Sequence, residues 1–474
     1  MKKILLSLAV ISGLSLNVLA DDASVQEQID QLNKKIQKLE KKQKKNTKKI
    51  SDVNKLAAYD NIKFDIDFRT AYDYINNKTA AGNTRKNDGL YSNRLWLGMG
   101  YAPTSDMMFK GQLAFNKAFG QSTAPMGAGY NYYDKFDWII NENLTDDTLR
   151  VREAYWFWSP HFWGQDWTLS VGRRPATNGF LISLREDDKA KSPIGHIINM
   201  EFDGISGSIK TGDLIKGSYL KLCVGRGLTD ATSRFDNSGL SYVEDGSNNF
   251  DNMDLIGVIA KLYDDGQYTA FAKYYRAFNA IGTDGFSAEG APILKSVGDM
   301  DGATLSFMIS GIGDEINDFL DDTILFASFA YSNTLPKDGQ TMLGSADNEA
   351  GTSVYVGTQM PNGTGGKFGL EYNHGSKYWR PFTYGEDTMA GSKMAVRGNA
   401  YEAYWTQPII EKHGKNIFSM QVRYTYMDYD YSGSDAFFGD MGTPMSMDEA
   451  KASPYADSVV ETAQDLRIYF RYRY

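Results

Sequence analysis

Fixed charge dominates the side chains whose type and spacing invite chemistry. The arginines Arg150, Arg152, Arg174, Arg467, Arg471 and Arg473 stand out, as does the acidic run Glu186, Asp187, Asp188. Opposed groups of such charges across a water-filled gap set a field that orders water and sorts solutes by sign. Hydrolytic and metal chemistry have little footing. The chain has four His (His161, His196, His374, His413) and one Cys (Cys223), with no HExxH, no paired Cys and no GxSxG. No resident cofactor or metal is expected. Acidic stretches at 145–147, 251–254 and 263–266 offer oxygen to loop-bound divalent cations, but none makes a full calcium loop. GTGGK (363–367) looks like a phosphate-binding loop, and the tyrosine-rich end looks like the self-phosphorylated tail of a bacterial tyrosine kinase. Pro361 and Phe368 stand where such a loop needs Gly and Ser or Thr, and the stretch also makes a good hairpin turn. A protein-tyrosine kinase is therefore the runner-up reading, and a structural or adhesive envelope protein a third.

The elements that must position these charges follow from periodicity. Residues 1–20 carry Lys2 and Lys3, an apolar run and Ala20, the pattern of a cleaved signal peptide. No second apolar run is long enough to cross a membrane as a helix, and mean hydropathy is −0.43. Residues 21–57 show a heptad seam, Ile29, Leu32, Ile36, Leu39, Ile50 and Val53, which predicts a coiled coil; either self-association through it or a monomer is compatible. This stretch holds ten Lys against six acids, whereas 58–474 holds 38 Lys and Arg against 53 acids.

From residue 58 to the end the period becomes two. Paired apolar-alternating segments are closed by short polar turns, and between pairs lie longer polar stretches near 70–90, 119–147, 175–197, 227–253, 278–301, 333–351, 376–395 and 429–463. Alternating short and long connections predict an all-β chain: a transmembrane antiparallel β-barrel of about sixteen strands, within two, with the coiled-coil helix on the short-turn side. A barrel of this size should enclose water rather than a packed core. The final DLRIYFRYRY puts Leu466, Ile468, Phe470, Tyr472 and Tyr474 on one face and Asp465, Arg467, Tyr469, Arg471 and Arg473 on the other. Trp156, Phe157, Trp158, Trp163, Trp167, Tyr404 and Trp405 are expected in aromatic girdles. Alternation from Arg152 would turn Glu153 toward lipid, so a bulge or an oligomer contact is needed there.

VREAYWFW (151–158), VGRRPATNG (171–179), the signal plus coiled coil, and the terminal YFRYRY resemble the outer-membrane porins of Campylobacter-type (epsilonproteobacterial) bacteria. The resemblance implies a Gram-negative outer-membrane diffusion channel for ions and small hydrophilic solutes, with the N-terminal helix in the periplasm. Expected partners are outer-membrane lipid and lipopolysaccharide, the barrel-assembly machinery and the solutes themselves, with no nucleic acid. Porin-like barrels commonly fold the third long loop inward. Here that loop, 175–197, would bring Glu186, Asp187 and Asp188 opposite a wall of Arg150, Arg152, Arg174, Arg467, Arg471 and Arg473 at a constriction. The acidic balance of 58–474 favours a weak cation preference. Phe470, Tyr472 and Tyr474 would form the insertion signal.

Overall fold

The computed structural model describes residues 62–121, 144, 148–231, 241–243, 250–286, 292–313, 316–383, 388–412, 415–434, 436, 438–439 and 442–474. The signal peptide, the coiled coil and its seam residues Ile29, Leu32, Ile36, Leu39, Ile50 and Val53 lie outside them. Ile62–Tyr101 and Asp106–Tyr474 form one compact unit, and 102–105 supply the bend between its second and third strands.

Among the described residues, sixteen strands form the closed wall of this unit, with a few short strands in its loops. The wall strands are β1 (Lys63–Thr79), β2 (Thr84–Tyr101), β3 (Met107–Ala118), β4 (Arg150–Trp158), β5 (Gln165–Arg174), β6 (Phe202–Lys210), β7 (Tyr219–Leu228) and β8 (Met253–Asp264). The second half comprises β9 (Tyr268–Phe286), β10 (Pro292–Ser310), β11 (Ile324–Pro336), β12 (Ala350–Pro361), β13 (Lys367–Gly375), β14 (Gly398–Lys412), β15 (Lys415–Tyr429) and β16 (Val460–Arg473). Each pairs antiparallel with its sequence neighbour, and β16 returns to β1 with Phe68 opposite Tyr472 and Arg69 opposite Arg471. Backbone hydrogen bonds run both ways between Ile66 and Tyr474, at 2.9 and 3.2 Å. The cylinder is therefore closed, and neither terminal strand leaves an unpaired edge at this seam.

Alternation decides which face is which, and the sense is inverted relative to a soluble sheet. On β7, Leu220, Leu222 and Val224 are exposed while Lys221 and Cys223 point inward; on β11, Leu325 and Phe329 face out while Ser328 and Ser332 are buried. On β16, Phe470 and Tyr472 face out, and Asp465, Arg467, Tyr469 and Arg471 are buried inside. An apolar exterior with a polar interior suits strands that satisfy every backbone group laterally.

Several expectations need revision. The stretches 70–90 and 278–301 are not long loops: β1 and β2 run on to a connection at 80–83, β9 continues to Phe286 and β10 begins at Pro292. Their polar residues continue the ladder, with Lys78 opposite Thr84 and Asn77 opposite Arg85. Tyr404 does not join a girdle; it is buried on the inner face and its hydroxyl accepts from Gln359 Nε2 at 3.0 Å. Aromatic ring pairs on the wall include Tyr72 with Tyr91 at 5.2 Å and Tyr372 with Tyr401 at 5.2 Å between ring centres.

The interior also differs from an open, wet lumen. Inner-face residues of β8 to β11, including Leu255, Tyr275, Met300 and Ala330, pack with Ile197, Ile198 and Met200 from the β5–β6 loop, Met342 and Leu343 from the β11–β12 loop, Trp379 and Phe382 from the β13–β14 loop, and Phe438 from the last loop. Four loops thus carry enough apolar side chain to build a core inside the cylinder. Asn199 N donates to Phe382 O at 2.7 Å and Phe382 N to Ile197 O at 3.0 Å, so two of these loops are also joined by backbone. Gly351 makes the approach possible, because a Cβ there would run into the backbone of Tyr378 and Trp379.

Candidate functional site: an ion-paired constriction

The β5–β6 loop enters the cylinder through Phe180, Leu181 and Ile182, which pack on Phe271, Phe326 and Tyr355 of the wall. Leu181 turns the chain with φ 77°, and one helical turn, α1 (Ile182–Arg185), follows. A helix end leaves carbonyls without intrahelical partners. Here barrel side chains supply the donors to four successive carbonyls. Gln359 Nε2 donates to Leu184 O (2.9 Å), Gln421 Nε2 to Arg185 O (2.8 Å), Arg471 Nη1 to Glu186 O (2.7 Å) and Arg473 Nη1 to Asp187 O (3.0 Å). The loop tip is therefore moored to β12, β15 and β16.

The acidic run meets two of the expected arginines directly. Asp187 pairs with Lys367 at 2.6 Å and Arg473 at 3.1 Å, and Asp188 with Arg471 at 3.0 Å and Arg473 at 3.2 Å. Glu186 instead holds Arg185 at 2.9 Å and Arg423 at 3.3 Å. Arg467 pairs with Asp73 on β1 rather than with the loop. Arg152 lies where the loop leaves the wall, bound to Glu201 at 3.2 Å and Glu153 at 3.3 Å. Arg174 donates to Ser206 Oγ at 2.6 Å, and half-buried Arg150 opens β4. The predicted charges are thus neutralised as contacts between Glu186, Asp187, Asp188 and the wall, and the arginines of β4 and β5 belong to a separate group.

Glu153 is turned inward by a bulge. Gln112 pairs with Glu153 and Leu113 with Val151, so Arg152 has no opposite number and both charged side chains reach the interior, where Lys191 meets Glu153.

Sequence reasoning missed the centre of the network. Glu402 on β14 receives Arg185 from the β5–β6 loop at 3.2 Å and Lys393 from the β13–β14 loop, and Arg423 stands 3.9 Å away. Lys393 also bonds Glu371. The signal was present in AYEAYW, where a lone acid falls on the inward phase among aromatics, but nothing in that segment names a cation from two distant loops. Burial raises the Asp187 carboxyl, yet Lys367 and Arg473 outweigh it and hold the group below the usual carboxylate range. His196 is fully buried between Ser328 Oγ (2.8 Å) and Ser353 Oγ (2.9 Å), and burial pushes its imidazole down to about 3, so it is a neutral strut. GTGGK is a turn in which Asn362 Oδ1 accepts from Thr364 N at 3.0 Å and Gly366 N at 2.8 Å, while the Lys367 amine is held by Asp187. Among the described residues no group of acids, His and Cys is placed to hold a metal ion.

Comparison with solved structures gives low identity and partial superposition. An anion-selective porin from Comamonas acidovorans is 12% identical, with 87% of this chain and 99% of that chain covered and a TM-score of 0.47. OmpT of Vibrio cholerae lacking loop L8 is 11% identical, with 87% and 99% covered and a TM-score of 0.45. OprB of Pseudomonas putida is 10% identical, with 89% and 96% covered and a TM-score of 0.43. The closed strand order, not these likenesses, carries the fold assignment. No curated protein matches the chain. Residues 84–474 match the family described as a protein of unknown function (DUF3373), and the chain belongs to that family.

Proposed function

We propose that the protein is an outer-membrane pore for ions and small hydrophilic solutes, narrowed by the β5–β6 loop. The observation that carries this reading is the closed sixteen-strand cylinder with an apolar exterior and a charged, loop-bearing interior. An exterior with Leu220, Leu222, Val224, Phe329 and Phe470 exposed is costly in water and favourable in lipid, at about 25 cal/mol per Å² of apolar surface. At the short-turn end a cavity of about 450 Å³ opens between Phe180, Lys191, Tyr219, Lys261 and Phe271, room for hydrated solutes below the loop. On this reading the seat is the Gram-negative outer membrane, with lipid and lipopolysaccharide around the barrel and residues 21–57 in the periplasm as tether or assembly helix. Membership of the Campylobacter-type porins remains part of the proposal and rests on the sequence motifs.

The weak cation preference rests on the surplus of acids over bases in residues 58–474. Single-channel recording of the folded full-length protein in a planar bilayer under a salt gradient tests both parts. Discrete ohmic steps with a cation-directed reversal potential are expected. Silence from a folded, heat-modifiable preparation would refute the pore, and an anion-directed potential would refute the preference. The same recordings on a chain lacking residues 21–57 separate the roles of the helix: unchanged steps indicate a tether, lost channels an assembly element.

A further inference from the structure

One arc of the exterior departs from the apolar rule. Arg173 on β5, Asp203 on β6, Arg226 on β7 and Asp254 on β8 are paired in register, so four charges of alternating sign stand in one cross-strand row. All four fall on the outward phase of their strands; Asp203 is exposed, and the side chains of Arg226 and Asp254 are 48% and 40% exposed. Neighbours hold one another, Arg173 with Asp203 at 3.5 Å and Arg226 with Asp254 at 2.7 Å. The charged band runs on into β9, where Arg276 pairs with Asp299 at 3.0 Å. Beneath the row, β6 turns Ile205, Gly207 and Ile209 outward and β7 turns Leu220, Leu222 and Val224, whereas β15 turns out Phe418, Met420, Val422, Tyr424 and Tyr426. Three outward positions on strands tilted by about 40° cover roughly 15 Å, against about 25 Å for the apolar band of an outer-membrane barrel. Exposed Leu214 and Ile215 in the turn below add to the lower edge, so the shortfall lies on the upper side, where the charges stand.

Charges on a lipid-facing wall are costly, and an apolar band that is too short is relieved by thinning the bilayer or by covering the arc with protein. We propose that the outer face of β5 to β8 is the contact surface for a second copy of this chain, related by a two-fold axis along the membrane normal. The sign pattern argues for that occupant. A row that reads plus, minus, plus, minus is its own complement when turned about its midpoint, which lies between Asp203 and Arg226. Tilted rows on two facing cylinders cross, so the central residues are the ones that meet: Asp203 of one copy faces Arg226 of the other, and the reverse. Shielded from water, these contacts become charge-assisted hydrogen bonds in a low dielectric. A surface built for lipid phosphate would carry an excess of cations, and this row, with two Arg and two Asp, is neutral. The proposal rests on the reading of the exterior as lipid-facing, but its readout needs no conduction.

The folded full-length protein is extracted in mild detergent and the protein mass per particle is measured by light scattering at micromolar concentration, each variant first checked for heat-modifiable folding. Two copies are expected. Asp203→Arg or Arg226→Asp alone sets like charges against each other at both contacts, and should raise the dissociation constant about a hundredfold or more and leave single chains. Mixing the two variants should restore pairs made of one chain of each kind, because one then presents two cations at the midpoint and the other two acids. A role confined to the strands of one chain would not be rescued by mixing. Single chains from the parent, with or without bound lipopolysaccharide, three copies per particle, or a mass that charge reversal leaves unchanged would each overturn the interface. A paired protein that gives no bilayer current would uphold the interface and reject only the pore.

Discussion

At the level of single residues the interior is organised around Glu402. One carboxylate takes Arg185 and Lys393, from two different loops, with Arg423 beside it on the wall. Removing one partner from a buried ionic network leaves the others desolvated and uncompensated, at about 3–5 kcal/mol. Glu402→Ala should therefore loosen both loops at once, lowering the urea midpoint of the folded band on unheated gels and raising single-channel conductance. A fall in stability with conductance unchanged would show that the network braces the wall only. Asp187 adds a sign that can be worked through. Its carboxyl is depressed in the folded protein, so its contribution is fully present above the ordinary carboxylate pKa of about 3.9 and is lost only as pH falls below it. The mooring of the loop tip is thus insensitive to pH across the neutral range.

At the level of elements, strands were legible and loops were not. The period-two pattern located all sixteen strands because exterior and interior make opposite demands on neighbouring residues. The seam at Leu466 to Tyr474 followed from the same pattern. Strand ends went astray where polar residues kept pairing beyond the apolar band, as at Asn77 and Arg85, since hydropathy does not mark where a ladder stops in water. Loop apolar residues such as Ile198, Trp379 and Phe438 have no period, so their gathering into a core depends on topology that local sequence does not encode. Of the ion pairs, those of Asp187 and Asp188 with Arg471 and Arg473 match the expectation that came from the porin resemblance, which brings the third long loop inward. Lys367 was hidden in a turn motif, and Glu402 was hidden because its partners lie on other loops. The β13–β14 loop offers a direct test. Gly351→Leu places a side chain where the Tyr378 and Trp379 backbone lies, and overpacking costs about 1–3 kcal/mol. The loop should be displaced, so trypsin should cut after Lys377 in the folded variant and not in the parent; equal resistance would show that the wall, not the loop, gives way.

For the molecule as a whole, the interior divides into an apolar half and a charged half. The core built on β8 to β11 removes part of the cross-section from any aqueous path, and the ion-paired constriction lies against β14 to β16. On the proposed pore function, a solute crossing the barrel would meet a path set by loops, and changes in those loops could retune it without touching the strand ladder. Tyr474 belongs to the ladder rather than to the path. Its backbone bonds Ile66 in both directions and its side chain is 78% exposed on the outer face. Deleting Tyr474 should cut the yield of membrane-inserted, heat-modifiable barrel several-fold, the order expected from about 1 kcal/mol per lost hydrogen bond, while leaving the conductance of inserted channels unchanged. Altered conductance at normal yield would assign the residue to the pore instead.

The pairing of the first strand with the last has a kinetic consequence. Asp67 and Arg471, bonded across the seam, are 404 residues apart in sequence. No chain that lacks β16 can make that contact, so until β16 has formed the matching edge of β1 stays unpaired. Long-range pairings of this kind fold slowly and leave sticky edges exposed while they wait. The seam thus acts as a completeness check: a truncated chain can form most of the ladder yet never becomes a cylinder.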